Sequence, residues 1–175
     1  MFTTTMASAK DIDDISRLLQ ANTAAHGGTL TGEFDRNTVV RMLDAGMPVI
    51  IARKQDRLLG VVFSHAMGNP KAPPVVTAME KAWPGSPGAY IYGPVCIDAS
   101  ARGRGILTLL YESLKQALPG REAVLFIRRH NVASLTAHQR LGMCEVAGFS
   151  AGGEEFAVFS DKAIKSKESK DSTRQ

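Results

Sequence analysis

Cysteine is scarce in this chain: Cys96 and Cys144 are the only two among 175 residues. Two thiols cannot build a disulfide framework, and without a Cys-x-x-Cys spacing they do not suggest a zinc site, so no metal is expected. Aromatic residues make up 6% of the chain, with one tryptophan. The interleaving of basic and aromatic side chains that stacks on single-stranded nucleic acid is absent. No run of about 18 apolar residues is long enough for a membrane span. The opening stretch MFTTTMASAKDIDDI has neither the basic start nor the apolar core of a secretory leader, so a cytoplasmic location is expected, with neither nucleic acid nor membrane as partner. Excess charge is small as well. Lys and Arg number 21 against 17 Asp and Glu, a net +4. Half of that excess lies in DKAIKSKESKDSTRQ, residues 161–175, where five basic residues face three acidic ones. This polar, charge-mixed stretch has little to bury and is read as a disordered tail. The body left behind is too near neutrality for a dedicated polyanion binder.

What is present is ordinary globular material, 44% hydrophobic and 22% charged, enough for one domain over residues 1–160. Residues 2–6 favour a strand. Ser8 and Asp11 form a capping-box pattern ahead of Ile12, Ile15, Leu18 and Leu19, which recur at helical spacing as far as about Asn22. Asp35 can cap a second helix that carries Val39, Met42 and Leu43 and stops at Gly46 and Pro48. PVIIAR and RLLGVVFSH flank a polar turn and read as an antiparallel hairpin. Residues 66–88 hold five prolines around a short helix near 75–83, a segment long enough to be a lid or a substrate wall. AYIYGPVCI is a strand interrupted at Gly93-Pro94, where a proline without a donor implies a bulge or a splay. Then come an amphipathic helix through Ile106, Leu110 and Leu114, a strand AVLFI, a helix NVASLTAHQRL closed by Gly142, and two strands, EVAGF and EEFAVFS. Antiparallel strands followed by a central β-α-β crossover give an α+β or α/β sheet covered by helices.

The most informative stretch is Arg102-Gly103-Arg104-Gly105, set between a strand and a helix. The first turn of a helix presents main-chain N–H groups with no internal partner, and its dipole adds partial positive charge. Two glycines let the backbone approach a ligand closely, and two arginines add charge-assisted donors. A diphosphate suits such a place. The alternatives are a solvated surface turn or a fragment of a nucleic-acid-binding segment. The latter usually repeats and does not lead straight into an amphipathic helix.

These residues resemble the phosphate loop of the GNAT-type N-acetyltransferases, Arg/Gln-x-x-Gly-x-Gly/Ala after a strand. Arg102 and Gly105 occupy matching positions, and Leu107 replaces the small residue usual at the end. A second stretch, NVASLTAHQRLGM, is similar to the family's Asn-x-x-Ser/Ala…Leu-Gly-Phe motif through Asn131, Ser134, Leu141 and Gly142. Met143 replaces the phenylalanine, and His138 stands where a tyrosine is common. The resemblance implies a mixed, mostly antiparallel seven-stranded sheet with a splay between its fourth and fifth strands and about four flanking helices. It implies transfer of an acetyl group from acetyl-CoA to an amine by direct attack in a ternary complex, with a small-molecule acceptor favoured over a protein and a homodimer left open. The competing reading is a non-catalytic domain that binds or senses acyl-CoA.

On that resemblance Val95, Cys96, Ile97, Arg102, Gly103, Arg104, Gly105, Ile106, Leu107, Asn131, Ser134 and His138 are the expected acetyl-CoA contacts. Asn131 reads first as a helix cap and second as a cofactor contact. His138 is the candidate general acid, with Tyr90 and Tyr92 as weaker proton donors. Glu33 is a weak candidate for the base. Asp35 reads better as a cap, and Glu80, His26 and His65 are no better supported than Glu33. Cys96 reads as a packing residue rather than a nucleophile. Nothing in the sequence encodes the acceptor's identity or the acyl length.

Overall fold

The computed structural model describes residues 1–162. Of the tail expected over 161–175, residues 163–175 lie outside the described residues. Seven strands run β1 (Thr3–Met6), β2 (Ile50–Lys54), β3 (Arg57–Ala66), β4 (Tyr90–Ile97), β5 (Ala123–Arg128), β6 (Cys144–Ala151) and β7 (Glu154–Ser160). The helices are α1 (Ile12–Gln20), α2 (Arg36–Asp44), α3 (Pro74–Ala82), α4 (Ile106–Ala117) and α5 (Val132–Arg140). That is five, where the resemblance implied about four. The strands follow the order β1-β2-β3-β4-β5-β7-β6. The pairs β1–β2, β2–β3, β5–β7 and β6–β7 are antiparallel, and β4–β5 is parallel. No helix among the described residues is long and apolar enough to cross a membrane.

The chain divides into two compact units. The first comprises Met1–His65 and Tyr92–Gly120. Alternation along β2 and β3 sorts their side chains between two faces. Ile51, Val61 and Phe63 join Ile12, Ile15, Leu18 and Leu19 of α1 and Val39 of α2 in one cluster. The other face meets α4 at Gly60, where an added Cβ would lie 2.9 Å from Ile106 Cγ2 and 3.1 Å from Leu110 Cδ1. Glycine is required there because helix and strand touch. Capping follows the sequence: Ser8 N donates to Asp11 Oδ2 at 2.9 Å, and Asp35 Oδ1 accepts from Thr38 N at 2.8 Å.

The second unit comprises Ala66–Ile91 and the chain from Arg121 onward. Here α3 covers Ile91, Val124 and Val158 through Val76 and Met79. Phe149 stacks on its cross-strand partner Phe156 at 5.0 Å, and Phe126 meets Phe156 edge-on at 5.6 Å. The proline-rich segment is fastened by one buried carboxylate, Glu122. Its Oε2 accepts from Trp83 Nε1 at 2.9 Å and from the Ser160 hydroxyl, and its Oε1 accepts from Ser86 N at 2.8 Å and Ser86 Oγ at 2.9 Å. Burial alone would raise its pKa, but the bonds donated by Ser160, Trp83 and Ser86 outweigh that and hold it below the usual glutamate value. Glu122→Gln puts an NH2 group against donors on one side of this cluster. A loss of about 2 kcal/mol in urea unfolding is expected, together with a shift in the emission of Trp83, the single tryptophan. Unchanged stability and emission would show that the carboxylate fastens nothing.

Candidate active site

The parallel β4–β5 ladder consists of Tyr90↔Ala123 and Ile91↔Val124. Among the described residues it has no further pair. The ladder ends just before Gly93-Pro94, where the sequence implied an interruption and Gly93 has φ +114°.

In the first unit β4 ends at Ile97, and Asp98 N donates to Leu59 O at 2.8 Å. Asp98 Oδ1 then accepts from Ser100 N at 2.9 Å. The chain reaches α4 through Gly103 (φ +75°) and Gly105 (φ +83°), both left-handed, and Gly105 is the N-cap. No side chain caps α4, whereas α2 and α5 are capped by Asp35 and Asn131. A Cβ added at Gly103 or Gly105 would meet nothing within 4 Å. The loop is therefore open at both glycines, and the exposed Arg102 and Arg104 stand just ahead of the twelve-residue helix. Ile106 is buried in the contact with Gly60, and Leu107 is half-buried.

On β4, Val95 and Ile97 are half-buried and Cys96 is buried. Cys96 lies in the cluster with α1, its Sγ 3.9 Å from Leu18 O. Burial, only partly offset by Arg102, pushes its thiol up to about 12. A thiol kept protonated is a poor nucleophile, in keeping with a packing residue. Tyr92 is buried with its ring edge-on to Tyr111 at 6.3 Å.

His65, at the end of this unit's part of β3, stands out for reasons no local pattern could reveal. Its ring stacks on Phe63 at 6.4 Å and 9° and bonds to the Gly93 main chain. Burial lowers its pKa, and the bond to Gly93 opposes that only in part. Glu33, by contrast, is exposed on the segment ahead of α2.

In the second unit Asn131 caps α5, accepting from Ser134 N at 3.2 Å. Ser134 and His138 lie one turn apart, as the spacing predicts. His138 is 2% exposed, and its Nδ1 lies 2.8 Å from Ser134 O. A carbonyl only accepts, so Nδ1 carries the proton, and Nε2 of the neutral ring is a lone pair. Burial depresses its pKa below the ordinary histidine value, and the bond to Ser134 opposes this only partly. A lowered pKa leaves less of the charged ring near neutral pH. Tyr90 is fully buried, its hydroxyl has no partner among the described residues, and burial raises its pKa.

No protein-family model and no curated protein matches the sequence. Solved structures do. An N-acetyltransferase from Staphylococcus aureus Mu50 superposes with a TM-score of 0.69 at 18% identity, covering 91% of this chain and 97% of its own. A GNAT superfamily phosphinothricin acetyltransferase from Sinorhizobium meliloti, solved in complex with acetyl-CoA, gives 0.68 at 19% identity, covering 91% and 86%. The ribosomal-protein-S18-alanine N-acetyltransferase from Escherichia coli gives 0.66 at 11% identity, covering 91% and 92%. The fold is the GNAT acetyltransferase fold. In the GNAT order the open loop is the one that leads from the fourth strand into the next helix, where the sequence resemblance put the phosphate loop.

The depressed pKa of His138 and His65 sets a pH window. The unfolded chain takes up these protons near pH 6.5, whereas the folded chain holds off until lower pH. Unfolding free energy is therefore greatest above pH 6.5 and falls as the pH drops, by at most about 1.4 kcal/mol per pH unit for each histidine. The shifted carboxylates move downward from 3.8 or 4.5 and so act below this window. The melting temperature should fall between pH 7.5 and 5.0, and His138→Gln should flatten the fall. An equally steep fall in that variant would show that the folded protein does not bury His138 as a neutral ring.

Proposed function

We propose that this chain is an acetyl-CoA-dependent N-acetyltransferase, with residues 1–160 as its domain, acting on a small-molecule amine by direct attack in a ternary complex. The observation that carries the reading is the uncapped start of α4. Its first amides follow two left-handed glycines and the exposed Arg102 and Arg104. That is a diphosphate seat in charge, donor number and openness. The GNAT fold and the acetyl-CoA bound by the Sinorhizobium meliloti protein support the reading.

Acetyl-CoA supplies an acetyl group activated as a thioester. The protein's part is to hold and orient it. Gly103 to Leu107 offer main-chain donors to the diphosphate, and Val95 and Ile97 offer main-chain groups to the amides of the arm, as an added strand would. The amine nitrogen bonds to the acetyl carbon, the carbon–sulfur bond breaks, and the nitrogen gives up a proton. His65 fits the base: a neutral imidazole whose donated hydrogen is committed to Gly93 has a lone pair on the other nitrogen. Glu33, exposed, is the weaker candidate. The departing thiol has a pKa near 8.5 and needs little protonation near neutral pH, so neither His138 nor Tyr92 is required as an acid.

Calorimetry should show acetyl-CoA binding, weakened about tenfold or more in Arg102→Ala. Absence of binding by the wild-type protein would end the reading. In thiol-release assays over a panel of amines, His138→Phe should keep kcat within about tenfold, because loss of a true acid costs about 10²–10⁴. His65→Ala should lose about 10² in kcat. The opposite pattern would return the acid role to His138 and remove the base role from His65.

A further inference from the structure

Resting on that reading, we propose that Asn22 is the positioning residue for Arg102, and that through it residues 23–30 and the phosphate loop order as one piece. Arg102 does not extend freely into solvent. Its Nη2 donates to Asn22 Oδ1 at 2.9 Å, and its Nε donates to Ile97 O at 3.4 Å. These two nitrogens form the side-on edge of the guanidinium fork. Holding that edge on the protein fixes the plane of the group and leaves the end-on edge, with Nη1, for an anion. A rigid fork held this way keeps its preference for bidentate phosphate contact and loses less entropy on binding.

Asn22 is itself fixed. Its Nδ2 donates to Leu18 O at 2.8 Å, which sets the amide so that Oδ1, not the NH2 group, meets the arginine. Its main chain is the hub of the segment that follows. Leu30 N donates to Asn22 O at 3.1 Å, Ala24 N to Leu30 O at 2.8 Å, and Gly28 N to Thr23 O at 2.8 Å. Gly28 packs so tightly that an added Cβ would fall 1.9 Å from Asn22 O. The side chain of Asn22 thus holds the cofactor arginine while its carbonyl holds the 23–30 segment. In the family that the sequence resembles, the loop between the first two helices, here residues 26–35, borders the acceptor, and the 23–30 segment leads into it. Coupling of this kind is reciprocal: whatever tightens Arg102 tightens the segment, and the reverse. The device prepares the acceptor side when the acyl donor binds.

The tests are calorimetry and hydrogen exchange, neither of which needs turnover. Asn22→Ala, confirmed as folded by its melting transition, should bind acetyl-CoA about tenfold more weakly than the wild type. Gly28→Ala, which displaces the Asn22 carbonyl without touching the cofactor loop, should weaken binding in the same direction. In the wild type, saturating acetyl-CoA should slow amide exchange over residues 22–30, and Asn22→Ala should lose that protection. Wild-type affinity in a folded Asn22→Ala protein, or no change in exchange over 22–30 in the wild type, overturns the proposal. The exchange measurement on the wild type decides alone if neither variant folds. Failure of the wild type to bind acetyl-CoA would overturn the acetyltransferase reading as well, whereas binding that ignores Asn22 overturns this inference only.

Discussion

Between Ile97 and Ile106 the chain must pass from a central strand into a helix without covering that helix's first amides. A side chain can satisfy a helix's orphan N–H groups, as Asp35 and Asn131 do for α2 and α5, whereas α1 and α3, like α4, have no side-chain cap. A cap of this kind is worth about 1 kcal/mol, and α4 goes without it. Two left-handed residues in close succession add a demand that only glycine meets cheaply. The result is an open turn that carries two exposed arginines ahead of the helix. Such an arrangement costs stability unless an anion sits there, which is why it weighs more than any single residue match.

The remainder of the first unit keeps that turn in place. Gly60 lets α4 lie directly on the sheet, so Ile106, the first residue after the cap, is buried against the strand. A helix seated at its first residue cannot drift, and its amides keep their direction. Arg102 is held from the other side by Asn22 and Ile97. The second unit is held by a different device. Glu122 gathers donors from three residues in two segments, and each of these bonds favours the charged carboxylate. Glu122 is buried where several hydrogen bonds meet, since a charge held by one bond would be costly to bury.

Which of these features were legible in the sequence follows from their range along the chain. The caps at Asp35 and Asn131, the hairpin, the glycine-arginine turn and the interruption at Gly93-Pro94 depend on neighbours a few residues away, so local chemistry reveals them. The sheet order was legible only through the resemblance. Glu122 could not be found: its donors Trp83, Ser86 and Ser160 are 36 to 39 residues distant. Asn22 and Arg102 are separated by 80. His65 carries no local motif, and only the fold brings Gly93 to it. His138 was visible as a residue type, but its protonation depends on burial and on the Ser134 carbonyl, which no local pattern reveals.

Proton accounting favours a base over an acid for the chemistry proposed. A thiol of pKa near 8.5 leaves with little help at neutral pH. A side-chain-like amine of pKa near 10.4 is neutral in only about one molecule in a thousand at pH 7.4. Bringing it to the attacking form costs about 4 kcal/mol, from three pKa units at about 1.4 each. An α-amine of pKa near 8 carries a penalty of less than about 1 kcal/mol at the same pH. The two acceptor classes therefore ask different things of the protein. Neutral imidazoles supply lone pairs, not protons, and His65 belongs to that class. If the acceptor is an alkylamine, the pH dependence of kcat/KM will keep rising through pH 8 and 9 as the free amine accumulates. An α-amine acceptor would level off near pH 8. The shape of that profile, read on a series of amines with graded pKa, distinguishes the acceptor classes without knowledge of the natural substrate.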